Sequence, residues 1–459
     1  MAFQSLYSSV SWVGVAIANS LSEPERRVQK GMNVDISDAR PRLKPLVPFF
    51  ILWSGQAVSI LGSRLAQFAL IWWLTVTSDS ATVLATASFV GLLPAVVLGP
   101  IIGVLVDRWN RKRILFLADS VVALASLVLA ALFFFGEVAL WQVYLILFVR
   151  AVGSGFHEPT MMATTSLMVP EQHLSRAQGM NQTLAGVSGV AAAPLGALLL
   201  AYLPLEAILT IDAATALFGI LPLLFIVVPQ PPRSEVLGEG ALRPLRDFWR
   251  ELSTGLHFVR GWTGLFLLLC LCVAINMLFT PAFALLPLFV KNHFGGGALQ
   301  LGALEAAFGA GMIAGGVLLS VWGGFKRRIV TTLMGIAVAG LSLALLSAIP
   351  ATLFPLALVS QAVLGGALPI INGPLFAALQ AVVPPDLQGR VFTLVISLAS
   401  GAAPLGLLLA GPTADLVGIR PLFLACGLLC LLISFIGFRL PVILQLEEHR
   451  GASASSLIP

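Results

Sequence analysis

Between Leu46 and Leu440 the chain is a succession of apolar runs of about twenty residues, each parted from the next by a few polar ones. A run of that length crosses the hydrocarbon core as a helix, because in lipid every backbone N–H and C=O must find its partner within the segment. The composition agrees: 58% of residues are hydrophobic and only 10% charged, against about 25% charged in soluble domains. The reading is an all-α membrane protein of about 12 transmembrane helices. The net charge of +5 is scattered over short loops, so it does not point to nucleic acid. Cys270, Cys272, Cys426 and Cys430 fall inside apolar runs and read as small buried residues, without disulfide or metal spacing. No GxxxxGK[ST] occurs, so the chain carries no nucleotide-driven motor of its own. The spans hold no His/Glu cluster and no nucleophile–base pair, so no catalytic or metal residue and no cofactor is assigned.

Residues 1–44 stand apart. Leu6–Leu21 is mildly apolar but short for a span, and no basic stretch precedes it, which makes it a poor signal peptide. Glu23–Lys44 is charged. Two readings stand: translation starts at Met32, or 1–44 is a cytoplasmic tail lying on the surface. The texture changes again at Pro229–Thr263, a polar linker with five arginines. Within it Arg243–Arg260 forms an amphipathic pattern, with Leu245, Phe248, Trp249, Leu252, Leu256 and Val259 on one side, suited to a membrane surface.

The linker divides a repeat. Ala66-Gln-Phe-Ala-Leu is answered by Pro281-Ala-Phe-Ala-Leu at an offset of 215, and Val169-Pro170…Arg176 by Val383-Pro384…Arg390 at 214. Ala192-Ala-Pro-Leu-Gly196 is answered by Ala402-Ala-Pro-Leu-Gly406 at 210. Three ordered matches at nearly one offset predict two six-helix pseudo-symmetric halves, with substrate bound between them. The expected organisation is a tail (1–44), an N-terminal half (45–228), a linker (229–262), a C-terminal half (263–440) and a second tail (441–459). Of the 26 Lys and Arg residues, Arg64 and Arg150 fall in spans, Lys291 and Arg420 in outer loops, and the rest on one side. The positive-inside rule then places both termini in the cytoplasm.

Polar residues inside the spans carry the functional reading. Gln56, Ser59, Ser63 and Gln67 recur at helical steps, so they share a face that should look into the bundle or a wet cavity. Arg150 lies near mid-membrane, where a charge costs about 2.5–3.5 kcal/mol on insertion scales. It needs a partner or a function, and both a structural and a functional arginine remain open. Arg64, Arg150, Asp212 and Glu305 fall at similar depths by helix counting. Asp212, then Glu305, are the candidates for proton coupling, and a permanent Asp212–arginine pair is the alternative.

Gly103-Val-Leu-Val-Asp107-Arg108-Trp-Asn110-Arg111-Lys112-Arg113 joins spans 2 and 3. It resembles the Gly-x-Leu-x-Asp-Arg-x-Gly-Arg-Lys loop of major facilitator superfamily transporters, with Asn110 in place of Gly; Asn tolerates a left-handed turn. Arg150-Ala-Val-Gly153-Ser-Gly155 resembles that superfamily's helix-4 motif. Gly186, Gly189 and Ala193-Pro194-Leu195-Gly196 resemble its antiporter motif in helix 5, or serve plain close packing. Trp53-x-Gly55-Gln56, Phe156-His157-x-Pro159, Val169-Pro170-Glu171 and Ile211-Asp212 together resemble the macrolide-efflux and enterobactin-exporter branch.

The resemblance implies a major facilitator fold and no enzymatic activity. It implies a secondary exporter of amphiphilic small molecules, macrolide-like or drug-like, working by alternating access with proton exchange in a bacterial inner membrane, as a monomer. Its partners are the substrate, protons and the lipid bilayer. The implied cavity is lined by Gln56, Arg64, Gln67, Arg150, Met161, Asn276, Met277, Phe279, Gln361, Asn372 and Phe376; for each alone, helix packing is the better reading, and only the set favours a cavity. The implied gate is Gly103, Asp107, Arg108 and Arg111, with Arg111 pairing Glu158 on helix 4. Asp107 would dock on the start of span 11 when the cytoplasmic side is closed. A dedicated transporter of a siderophore or lysophospholipid shares all these features. A membrane enzyme or sensor is the reading the sequence favours least.

Overall fold

A computed structural model describes residues 46–136, 138–230 and 243–447; the two readings of residues 1–44 lie outside it. Six helices make the first half: α1 (Val47–Ser78), α2 (Ala81–Arg108), α3 (Arg111–Phe135), α4 (Leu140–Met168), α5 (Leu174–Tyr202) and α6 (Leu205–Phe225). The linker helix α7 (Arg243–Gly261) follows. The second half holds α8 (Thr263–Ala284), the short α9 (Leu286–Phe294), α10 (Ala298–Trp322), α11 (Arg328–Ala348), α12 (Phe354–Val382), α13 (Pro385–Val417) and α14 (Ile419–Arg439), then a final turn, α15 (Pro441–Leu444). Eleven of these helices are long and apolar enough to cross a membrane. The remaining long one, α4, has 29 residues, and Arg150 and His157 within it lower its hydropathy. Span 7, expected to be continuous, breaks at Leu285 after Pro281 and resumes as α9 with Pro287 in its first turn, where a missing N–H costs nothing.

The two halves repeat each other's packing. In the first, α3 packs on α4 and α6, and α2 on α4; in the second, α11 packs on α12 and α14, and α10 on α12. The halves meet through α2 against α13 and α5 against α10, again a symmetric pair of contacts. The sequence repeat has its physical reason here. A methyl on Gly196 would meet the Phe68 ring on α1 at 2.8 Å, and one on Gly406 would press on the Met277 backbone of α8, so both glycines admit a close neighbour.

The basic loop is tighter than the sequence predicts. α2 runs to Arg108 and α3 starts at Arg111. Asn110 does not take a left-handed turn; its φ is −65° and its side chain caps α3, accepting from Arg113 N at 3.2 Å. The linker helix also differs from expectation. It lies on the protein: Val259 is fully buried, Leu252 and Leu256 pack into the second core, and Gly255 faces the Arg390 carbonyl of α13. The side chains of Leu245, Phe248 and Trp249 lie outside the described residues.

Among the described residues, the hydrogen bonds that join the halves all lie at the end away from the basic loop. Asp415, near the end of α13, accepts from Ser80 Oγ (2.9 Å), Ala81 N (2.6 Å) and Thr82 N (2.9 Å) at the start of α2. Lys291 on α9 donates to Asp79 Oδ1 (3.0 Å) and to the Thr75 carbonyl (3.2 Å) at the end of α1. Helix packing agrees. A methyl on Gly302 would sit 3.0 Å from Ala193 O, whereas Gly186 on α5 and Gly316 on α10, nearer the basic end, have open space around them. Likewise Gly411 abuts Thr82 and Ala85, Gly401 touches only Val96 at 4.0 Å, and Gly389 touches nothing. The bundle is closed at one end and splayed at the end that carries the basic loop.

Candidate functional site

Arg150 finds its partner inside the first half. Its Nη1 lies 2.5 Å from Asp212 Oδ2 and also donates to Ser126 Oγ. Ser63 Oγ and Ser126 Oγ donate to the two Asp212 oxygens at 2.8 and 2.7 Å. Arg150 is 7% exposed and Asp212 1%. Four helices thus supply one satisfied ion pair: α1 (Ser63), α3 (Ser126), α4 (Arg150) and α6 (Asp212). Breaking such a pair by removing one member costs about 3–5 kcal/mol, because it strands a buried charge. Arg150 was expected to line a cavity; it is enclosed in the helix core instead, since pairing offsets the cost of the charge better than a half-wet surface would.

A second polar cluster sits closer to the basic end. Gln56 Nε2 donates to Asp119 Oδ2 at 2.7 Å, Gln56 Oε1 is 2.8 Å from His157 Nε2, and His157 Nε2 is 3.5 Å from Asp119 Oδ1. Gln56, only 2% exposed, was also expected in a cavity wall. It points instead into the first half, towards α3, α4 and α6, with Gly219 leaving the room it needs. Asp119 and His157 were not among the expected site residues. The signal was available: each is an ionisable residue inside a span.

The remaining candidates divide between two cavities and the core. One cavity of about 230 Å³ lies between the halves and is lined by Arg64, Gln67, Phe68 and Ile71 of α1, Gly189, Ala192 and Ala193 of α5, and Leu301 and Glu305 of α10. Glu305 is half-buried there, with no ion-pair or hydrogen-bond partner among the described residues. The second, of about 210 Å³, lies in the second half and brings together Asn276, Asn372 and Phe376 with Leu271, Ile336, Ile371 and Ser400. Gln361 is a third correction. It is 2% exposed and its Oε1 has no partner, so it belongs to the core and not to a cavity. Met161, Met277 and Phe279 are half-buried and line neither cavity. Phe279 packs near Phe283, with ring centroids 6.3 Å apart.

At the basic end the expected Arg111–Glu158 pair is absent. Glu158 is exposed and without a partner among the described residues, while Arg111 is buried and donates to Ala163 O at 2.8 Å. Gly103 and Arg108 are exposed, and Gly103 has open space around it. The side chain of Asp107 lies outside the described residues. The basic loop Lys326-Arg-Arg328, which in the sequence occupies the place of the opening motif without its aspartate, supplies the counterpart of Arg111. Arg328 opens α11 as Arg111 opens α3. Their side chains donate to Ala377 O and Ala163 O, and their backbone N–H groups to Glu447 and Gln230. Each arginine ties the start of one helix to the next helix and to the segment that closes its half.

The profile of the Major Facilitator Superfamily matches residues 52–406. Macrolide efflux protein A of Streptococcus pyogenes is 35% identical over 388 residues, which covers 84% of this chain and 94% of that protein. The multidrug efflux pump Tap of Mycolicibacterium fortuitum is 25% identical over 413 residues, 87% of this chain and 97% of that one. Among solved structures, the nucleoside transporter NupG superposes with a TM-score of 0.63 at 14% identity, covering 85% of this chain and 99% of its own. A bacterial homologue of the human lysosomal transporter Spinster also scores 0.63, at 16% identity, covering 87% and 98%. These two share the fold. With the profile spanning most of the helical bundle and a relative matched nearly end to end, the chain belongs to the Major Facilitator Superfamily: it is a multi-pass membrane transporter and not an enzyme.

Proposed function

We propose that this transporter exports macrolide-like amphiphilic molecules from the cytoplasm or the inner leaflet of a bacterial membrane, by alternating access and in exchange for protons. The observation that carries this reading is the 35% identity to the streptococcal macrolide efflux protein along 94% of that protein's length. The positive-inside rule would make the basic, splayed end cytoplasmic, and with that orientation the splayed end is the inward-facing mouth. The substrate would enter the cleft between the halves, towards Arg64, Gln67 and Glu305 on one side and Asn276, Asn372 and Phe376 on the other. Each cavity is below the roughly 300–1,000 Å³ of drug-sized pockets, so a macrolide would occupy the cleft itself and use the cavities as subsites.

Segments 45–228 and 263–440 would rock as two bodies, joined by 229–262. Asp415 holds the outer end shut by capping α2. On the other side Asp107, at the inner end of α2, would cap the start of α13 once the inner end closes. A carboxylate at a helix start contributes about 0.3–2 kcal/mol, and each cap exists in one state only, which is what a two-state switch requires. Glu305, unpaired and reachable from the cleft, is the better placed of the two expected coupling acids, because Asp212 is already saturated.

The test is transport. Expression in a bacterial strain lacking its own efflux pumps should raise resistance to erythromycin. Everted vesicles should accumulate erythromycin when acidified inside, and a protonophore should abolish the accumulation. Accumulation indifferent to the protonophore removes proton exchange. A strain unchanged towards macrolides and dyes but altered in siderophore secretion makes the chain a dedicated metabolite exporter.

A further inference from the structure

The Gln56–Asp119–His157 cluster has a charge problem that the Arg150–Asp212 pair does not. Both contain a carboxylate buried among helices. Asp212 faces a guanidinium, which stays charged at any physiological pH. Asp119, 6% exposed, faces only an imidazole and an amide. Gln56 donates one N–H to Asp119 but brings no charge, and its carbonyl oxygen accepts from His157 Nε2–H. That assignment leaves His157 Nε2 protonated and next to Asp119 Oδ1.

The charged neighbours offer no other counter-ion. On α1, Arg64 lies two turns outward and is exposed to the cavity between the halves. On α4, Arg150 is committed to Asp212, and Glu158 is exposed. On α3, Arg111 donates to Ala163 O, and Lys112 to Leu224 O. α6 contributes the Gly219 carbonyl at 3.5 Å from Gln56 Nε2 and keeps Asp212 in the outer pair.

A lone carboxylate in this position would be an uncompensated buried charge, which costs several kcal/mol. Histidine is the side chain whose charge changes near neutral pH. The charge of the cluster is therefore set by proton occupancy: net neutral with one proton shared by His157 and Asp119, net negative without it. The cluster also lies on the side of the Arg150–Asp212 pair nearer the splayed end, and His157 is its least buried member, with 13% of its side chain exposed.

We propose that Gln56, Asp119 and His157 form a proton-binding site in the first half, loaded and emptied from the splayed end, in which Asp119 and His157 hold the proton and Gln56 positions them. This deepens the proton-exchange reading and rests on it for its role in transport, though not for its existence. Proton binding transfers H⁺ from hydronium to the singly negative cluster: one O–H bond of hydronium breaks, one O–H or N–H bond forms on Asp119 or His157, and water leaves.

The test uses the full chain in lipid nanodiscs, followed by infrared difference spectroscopy during a pH titration, and compares wild type with Asp119→Asn, His157→Gln and Gln56→Leu. Wild type should show a carboxyl signal that appears and disappears as pH is varied. Asp119→Asn should abolish that signal, and His157→Gln should displace it along the pH axis. If Asp119→Asn does not fold, His157→Gln and Gln56→Leu carry the test. Folded variants that titrate as wild type does overturn the proposal. Erythromycin accumulation in the same vesicle assay separates the two readings. A titrating cluster in a protein whose transport ignores protons leaves the site standing and removes proton exchange. Proton-driven transport with spectra indifferent to all substitutions does the reverse.

Discussion

The two six-helix halves share a packing plan but are held together by different chemistry. In the register that pairs Arg111 with Arg328 and Ala163 with Ala377, Asp119 corresponds to Ile336, Ser126 to Leu343, Arg150 to Leu364 and His157 to Ile371. All four counterparts are buried. The first half keeps an ion pair and a proton-sensitive cluster where the second keeps branched apolar side chains, and part of that apolar region forms the cavity beside Asn276 and Asn372. The helix contacts differ too. In the second half α10 and α12 approach backbone to backbone: a methyl on Gly311, Gly315 or Gly365 would collide with the opposing carbonyl of Ala362, Gly366 or Phe308. At the basic end the equivalent α2–α4 contact runs through the side chains of Ile102, Val106, Phe156 and Ala163. One fold therefore tolerates a polar core in one copy and an apolar core in the other. The charged copy is the one in which proton chemistry can reside.

The largest test of this contrast is to make the first half resemble the second. Asp212→Leu or Arg150→Leu alone should lower stability by about 3–5 kcal/mol, read as loss of folded protein or a lower unfolding temperature in detergent. The double substitution should recover most of that loss, because no charge is stranded, yet it should not transport. A double variant that exports erythromycin at the wild-type rate would reduce the pair to scaffolding. Arg150→Lys keeps the charge but loses the planar fork, so it should insert normally and transport poorly.

A smaller effect is expected in the second half. Gly315→Val should cost about 1–3 kcal/mol by overpacking, since the Gly366 carbonyl cannot retreat. Gly103→Val in the first half, where there is open space, should be close to neutral in this state. Thermal unfolding of the two variants side by side would decide whether the α10–α12 contact rests on a backbone approach that the α2–α4 contact lacks.

Smaller again are the helix caps, worth about 0.3–2 kcal/mol each. Asp415→Asn should weaken the outer end and shift the population towards outward-open, read as a longer distance between spin labels on Thr86 and Thr413 positions. Asp107→Asn should shift it the other way, and slow transport while ligand binding is largely kept. Identical distance distributions in both variants would mean that neither carboxylate biases the switch.

Much of this was legible along the chain. The span pattern, the repeat and the basic loop follow from hydropathy and charge placement, which are properties of consecutive residues and the cost of moving them into lipid. That Arg150 must have a partner follows from the same cost. A permanent pair of Asp212 with an arginine was one of two readings; that the arginine is Arg150 and not Arg64 did not follow, because it depends on α4 and α6 being rotated to meet across Ser63 and Ser126. Nor did the direction of Gln56, Gln361 and Arg150, for helical periodicity says which residues share a face and not what that face meets. Glu158 without Arg111, and Asp415 on the start of α2, depend on which end of the bundle is closed. That is a property of how two whole halves sit against each other, fixed by hydrogen bonds between residues 212 to 335 positions apart, and no local stretch of sequence contains it.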